Sequence, residues 1–243
     1  MQERAYYSQC GEDYILWQLF KNQPKGFYVD VGAWNGMLFS NTYSFELAGW
    51  EGLCVEAHPH FFNQLQKNRP NATNINAAVG TTNSDNVPFY AAKGGALHTF
   101  MGALSTFSKP TMEYFAKYFA PEHPEWEVVN LPMYTLQSIF DQCIPAGTTI
   151  DFLSIDIEGT DLDALKALDL NIKWKPRVII SETIPRFDSN GLNQLQQYLS
   201  KFGYRFARCL KGVDNAFFCL EEEHERIIKS CVVNCQLVQT PMP

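Results

Sequence analysis

The sequence predicts an α/β fold built on a parallel, doubly wound sheet. Three observations carry this. Short apolar runs with strand character alternate with segments whose apolar residues recur at helical spacing. The first run, 27–31, breaks into a tight turn, Gly32-Ala33-Trp34-Asn35-Gly36, ahead of a helical pattern over 37–48. Asp30, Glu56, Asp156 and Glu182 fall at the carboxyl ends of such runs. Ligands of doubly wound sheets bind outside the carboxyl ends of the strands, so these acids mark the functional edge.

The elements follow in order. Ser8 or Gly11 starts a first helix through Ile15, Leu16, Leu19 and Phe20. Glu12 and Asp13 lie in its first turn, where the helix dipole favours acids. Residues 22–26 turn into the strand 27–31, and residues 49–52 break the second helix. A strand at 53–56 follows; Pro59 then opens a helix at 61–68, and a strand at 75–79 stops at Gly80. The middle is less regular: a short edge strand at 87–90, a glycine-containing mobile loop at 93–108, a helix at 111–119, a break at 121–124, an extended run at 127–131 and a helix at 136–140. The core pattern resumes as a strand at 150–156, a helix at 161–168 and a strand at 177–182. It ends with a helix at 192–202, strands at 204–208 and 216–220, a charged helix at 221–229 and a tail at 240–243. With no repeat and no low-complexity linker, residues 1–243 read as one domain. It has an N-terminal helical segment at about 1–25 and an insertion at about 88–133, which covers the substrate side or acts as a connector.

Composition narrows the function. At 243 residues, 46% apolar and 14% aromatic, the chain can bury a sizeable core. A net charge of -7 and the absence of a Lys/Arg cluster speak against a nucleic-acid partner. No run reaches the roughly 20 apolar residues of a membrane span. No signal peptide is visible, so a cytoplasmic protein is expected. The seven cysteines fit no zinc spacing, and Cys231 and Cys235 read as a reduced pair rather than a disulfide.

The glycine turn selects among nucleotides. A dinucleotide fingerprint needs glycine at its first, third and sixth positions; here these are Gly32, Trp34 and Met37. A carboxylate beside the turn, Asp30, repels a pyrophosphate and attracts a cation. S-adenosylmethionine, with a sulfonium and an ammonium, suits that corner. Glu56, one strand–helix unit later, accepts from both ribose hydroxyls, and Ala57 leaves room for adenine. The small residues of Ala77-Ala78-Val79-Gly80 make a flat wall for the base or a tightly packed strand end. Each acid alone is also a good helix cap. Their recurrence at successive strand ends favours one shared site.

The stretches Phe27 to Gly36, Cys54 to Pro59, Asn76 to Gly80 and above all Ile155-Asp156-Ile157-Glu158-Gly159 resemble the FkbM-type methyltransferases. So do Ser8-Gln9-Cys10-Gly11-Glu12-Asp13, Ser40-Asn41-Thr42, Gly49-Trp50-Glu51-Gly52 and Tyr134-Thr135-Leu136. The resemblance implies a class I methyltransferase (Rossmann-like) fold, with a mostly parallel seven-stranded sheet whose last strand is antiparallel. It implies S-adenosylmethionine as cofactor and methyl transfer to a hydroxyl of a sugar, glycan or related product. On this resemblance Asp30, Gly32, Ala33 and Gly36 border the methionine part, Glu56 holds the ribose and Ala78 lies near the adenine. Asp156 lies near the sulfonium and the acceptor. Asn41 contacts the cofactor through its amide or bonds its own helix backbone. Gln9 closes the pocket or caps a helix. Trp34 departs from the small residues usual at its place, and packs over the cofactor.

An alcohol is a poor nucleophile, so a base or a metal is expected. Asp156 is the first candidate base; Glu158 and His98 are weaker ones. Asp156, Glu158 and Glu182 are also candidate ligands for Mg2+, although metal-free chemistry is the preferred reading. The rivals are a non-catalytic S-adenosylmethionine-binding scaffold, an N- or C-methyltransferase and a nicotinamide-dependent reductase. Phe100, Phe107, Tyr114, Phe115, Tyr118 and Phe119 either stack on an acceptor or fill a lid core. Oligomeric state is not readable from the sequence.

Overall fold

A computed structural model describes residues 5–93, 104–119, 125–183, 190–209 and 215–231. The chain begins α1 (Glu12–Phe20), β1 (Phe27–Val31), α2 (Tyr43–Leu47), β2 (Glu51–Glu56), α3 (Pro59–Asn68), β3 (Thr73–Asn76) and β4 (Ala78–Val79). It continues β5 (Ser84–Lys93), α4 (Lys109–Tyr118), β6 (Glu125–Tyr134), α5 (Leu136–Cys143), β7 (Phe152–Ile155) and α6 (Asp161–Lys166). It closes with β8 (Val178–Glu182), α7 (Gly191–Ser200), β9 (Tyr204–Cys209), β10 (Asn215–Leu220) and α8 (Glu221–Cys231).

Seven strands form the main sheet, in the order β3-β2-β1-β7-β8-β10-β9. The pairs from β3 to β8 are parallel, and β10 runs antiparallel to both β8 and β9. This is the class I methyltransferase arrangement: an α/β, mostly parallel sheet whose last strand in the chain runs antiparallel. The order reverses at β1, which lies between β2 and β7, and there a crevice opens.

Every residue of β1 is buried, as a strand covered on both faces must be. Val29 and Val31 face a core shared with Leu136, Phe140, Leu165 and Leu195 from the helices after β6. Tyr28 faces the opposite core, with Leu16, Phe20, Phe45 and Leu65. Burying both faces fixes the strand register, because a one-residue slip would exchange the two sets.

Three elements differ from the sequence reading in ways that shape the site. The helix expected at 37–48 forms only as Tyr43–Leu47. Ahead of it, Asn35 Oδ1 accepts from the amides of Met37 and Leu38 at 3.0 and 2.9 Å. Ser40 Oγ accepts from those of Thr42 and Tyr43 at 3.2 and 3.0 Å. Both side chains compete with helix hydrogen bonds and hold the chain in turns. The strand expected at 75–79 is divided between two sheets. β3 pairs with β2, and β4 leaves to pair with β6 in a second sheet ordered β4-β6-β5. The edge strand expected at 87–90 extends over Ser84–Lys93, paired antiparallel with β6. Pro88 is tolerated because β5 is an edge. The excursion anticipated at about 88–133 is thus a long β-ribbon with α4 in its connection. Residues 94–103, with His98 and Phe100, lie outside the described residues, as do Cys235 and the side chain of Cys231.

No described helix is long and apolar enough to cross a membrane.

Candidate functional site

A cavity of about 310 Å³ opens between the carboxyl ends of the main-sheet strands and the second sheet. Asp30, Gly32, Ala33, Asn41, Glu56, Ala57, Ala78, Asp156, Glu158 and Glu182 all line it, and so do Gln9 and Trp34. Gly36 does not. At φ 82 its Cα turns toward Arg69 and Leu65, behind the corner.

The corner is shaped by close backbone packing. Gly32 has φ 85, and a Cβ there would run into the carbonyl of Asp156. Glycine is therefore demanded by the end of β7 as well as by the turn. The amides of Gly32 and Ala33 donate to Val55 O at 2.9 and 3.0 Å, locking the turn to β2. Trp34 is left-handed at φ 48, an uncommon state for a large residue. Its amide donates to Glu56 Oε2 at 2.8 Å. Its indole stacks on Phe39 with centroids 5.9 Å apart.

A fully buried cation, Arg69, stands behind this corner. Its Nε bonds Glu46, Nη1 donates to Gly36 O at 3.0 Å, and Nη2 donates to Thr42 Oγ1 at 2.9 Å. Thr42 in turn donates to Asp30 Oδ2 at 2.6 Å, and Arg69 Nη1 lies 3.9 Å from the same oxygen. Burial raises the Asp30 carboxyl, while Arg69 and Thr42 pull it back. The negative field of Asp30 at the cavity is thus partly balanced from behind.

Glu56 accepts one backbone amide on each oxygen: Trp34 on Oε2 and, at 2.7 Å, His58 on Oε1. One lone pair per oxygen remains for a pair of donors such as ribose hydroxyls. Burial pushes its carboxyl up to about 7, against the amide bonds. Asn41 does not bond its own backbone. Its amide donates to Ser154 Oγ on β7 at 3.0 Å.

At the other side of the crevice, carboxylate oxygens of Asp156, Glu158 and Glu182 lie within 4.8 Å of one another. Glu158 reaches the group from a left-handed backbone, φ 55. Desolvation inside the crevice pushes all three carboxyls upward, although Asp156 keeps an exposed face on the cavity. The hydrogen bond shared with Glu182 pulls Asp156 back down and pushes Glu182 further up. Asp161 supports the group from beneath, accepting from the amides of Ile157 at 3.3 Å and Glu182 at 3.2 Å. Asn215, which pairs with Glu182 across β10 and β8, also lines the cavity and donates to Glu12 at 2.9 Å. Much of the remaining wall is aromatic, with Phe89, Phe107, Tyr114, Phe115, Tyr118 and Phe119.

Sequence reasoning missed Arg69, His58, Asp161 and Asn215. Arg69 sits between Asn68 and Pro70 and reads as a solvated turn cation. His58, before Pro59, carries only a weak signal as a helix start. Asp161 reads as an ordinary helix-start acid and Asn215 as a loop residue.

The family model for the methyltransferase FkbM domain matches residues 30–206. Among solved structures, the precorrin-6y C5,15-methyltransferase from Geobacter metallireducens GS-15 aligns at 14% identity over 90% of this chain and 89% of that one, with TM-score 0.43. The TehB-like S-adenosylmethionine-dependent methyltransferase from Corynebacterium glutamicum aligns at 9% identity over 88% and 89%, TM-score 0.42. The O-methyltransferase from Bacillus cereus, solved with S-adenosylhomocysteine, aligns at 12% identity over 88% and 81%, TM-score 0.41. The fold assignment rests on the strand order, and the family on the sequence match.

Two predictions follow from the buried charges. Replacing Arg69 with Met strands the Glu46 and Asp30 carboxyls without their counter-ion. Urea unfolding at pH 7 should show a loss of about 3–5 kcal/mol; a loss below about 1 kcal/mol would refute the role given to Arg69. Glu56 has its carboxyl raised in the folded state, to about 7. Its stabilising contribution is therefore complete below the unfolded value of about 4.3 and is lost as pH rises through about 7. Glu56→Gln, always neutral, should gain stability relative to wild type between pH 5 and 8 in the ligand-free protein. A difference that stays flat with pH would show Glu56 to be unshifted.

Proposed function

The chain belongs to the FkbM methyltransferase family, and from that premise we propose that it O-methylates a hydroxyl of a sugar, glycan or related natural product. The observation that carries this is the opposition of two acidic stations across one cavity. Glu56 stands at the glycine corner, and Asp156 with Glu158 and Glu182 at the ends of β7 and β8.

The corner fits S-adenosylmethionine by its own chemistry. Glu56 would take the ribose hydroxyls with its remaining lone pairs, held by the amides of Trp34 and His58. Ala57 and Ala78 would leave a flat space for adenine. Asp30, Gly32 and Ala33 would border the methionine part. When bound, the cofactor supplies a methyl group already activated by its sulfonium. The chain's own task is to align an acceptor oxygen and take its proton. Asp156 would receive that proton; its hydrogen bond with Glu182 favours its ionised form. Glu158 would orient the acceptor beside it. The aromatic wall would pack against the acceptor's apolar face. The same oxygens could instead hold Mg2+, a hard cation that takes oxygen ligands; we favour the base, which needs nothing beyond this chain.

The test is release of S-adenosylhomocysteine with a panel of methyl glycosides, phenols and primary amines, with and without EDTA. Turnover on hydroxyl acceptors is expected. Asp156→Asn should lower kcat by about 10²–10⁴-fold, with the Kd for S-adenosylhomocysteine changed less than about threefold. Turnover on amines alone would overturn O-methylation. Full activity in Asp156→Asn would remove Asp156 as base. Activity lost in EDTA and restored by magnesium would favour the cation.

A further inference from the structure

We propose that His58 is a positioning residue that fixes the acceptor-side wall of the cavity to the cofactor carboxylate Glu56. The inference rests on the reading of Glu56 as the ribose anchor.

His58 is buried and uses both ring nitrogens and its backbone amide on three different elements. Its amide donates to Glu56 Oε1 at 2.7 Å. Its Nδ1 accepts from the amide of His60 at 3.1 Å, capping α3. Its Nε2 lies 2.9 Å from Ala92 O on β5. The tautomer follows from these partners. An amide can only donate and a carbonyl can only accept, so Nδ1 is bare and Nε2 carries the proton. Burial, which lowers the ring's proton affinity, keeps it in that neutral form. The ring also meets Phe61 and Phe89 edge-on, at 4.8 and 6.4 Å between centroids.

Ala92 is where this tie becomes functional. β5 is an edge strand, and edge strands present unpaired amides and carbonyls. The carbonyl of Ala92 goes to His58, and its amide donates to Ser105 Oγ at 3.0 Å. Two residues earlier, Tyr90 and Thr106 exchange backbone bonds at 2.8 and 3.2 Å. The segment with Leu104, Ser105, Thr106 and Phe107, which lines the cavity, is therefore hung on the stretch of β5 that His58 holds. One residue thus joins the ribose carboxylate, through its backbone amide, to the start of α3 and the strand that carries the acceptor wall, through its ring.

Two substitutions separate the capping role from the tie. Asn is a good cap and supplies an acceptor in place of Nδ1, but it is too short to reach Ala92. Gln extends an amide donor toward Ala92 and gives up the cap. Amide hydrogen exchange at Tyr90 and Thr106 is read in wild type, His58→Asn and His58→Gln, each with and without S-adenosylhomocysteine, beside its calorimetric Kd. The expected result is exchange at both amides about tenfold faster in His58→Asn and near wild type in His58→Gln. Ligand should slow these amides in wild type and His58→Gln but not in His58→Asn, with Kd within about threefold throughout. Wild-type exchange in His58→Asn, or equally fast exchange in both variants, would overturn the proposal. If wild type binds S-adenosylhomocysteine without slowing these amides, the coupling fails while the cofactor reading stands. If wild type does not bind it, the cofactor reading falls and takes this inference with it.

Discussion

A positive charge sealed inside the protein organises the functional edge. Arg69 has no access to water, so its guanidinium must spend its donors on protein atoms. Those atoms belong to Glu46, Gly36, Ser40 and Thr42, and the ring faces of Tyr28 and Tyr43 lie 5.1 and 5.5 Å away. The glycine turn, the irregular loop after it, α2 and the end of α3 are held by one planar group. Through Thr42 the same group reaches Asp30. Desolvating Arg69, Glu46 and Asp30 together is tolerable only because the guanidinium pairs with Glu46 and offsets part of the Asp30 charge, and that requirement fixes the shape of the corner.

The sheet then sets what the corner faces. Parallel strands deliver their carboxyl ends to one edge, and the order reverses at β1, so β2 carries Glu56 to one side while β7 and β8 carry Asp156, Glu158 and Glu182 to the other. Burial raises the carboxyls on both sides. A site in that condition gains from a ligand that brings hydroxyl donors to one station and a proton-yielding or cationic group to the other. The second sheet roofs the crevice because the chain leaves the main sheet between Asn76 and Ala78. The main-sheet edge thus supplies the acidic floor of the cavity, and this excursion supplies the side that faces it.

Much of this was legible in the residues. The strand ends announced themselves as apolar runs closing on acids, and those acids do line one cavity. What the pattern hid was competition and burial. Met37, Leu38 and Phe39 look helical, but Asn35 and Ser40 capture the amides that a helix would need. The run 75–79 looks like one strand because no glycine or proline interrupts it before Gly80, although its two halves pair with different sheets. The outer half of β5 is polar and exposed, so the period of two that marks a strand is weak there. Nothing in Asn68-Arg69-Pro70 tells a solvated cation from a buried one; only the tertiary packing of α3 against the corner makes Arg69 central. Gly36 likewise reads as a ligand-side glycine, and serves instead to let Arg69 approach the turn.

The most direct test of the account is calorimetric titration of the ligand-free protein with S-adenosylhomocysteine, for wild type and Glu56→Ala. The account predicts micromolar binding, about -8 kcal/mol, to wild type and its loss in a Glu56→Ala protein that remains folded. Absence of binding to folded wild type, or equal binding to both, would contradict the assignment of the glycine corner and Glu56 as the cofactor site.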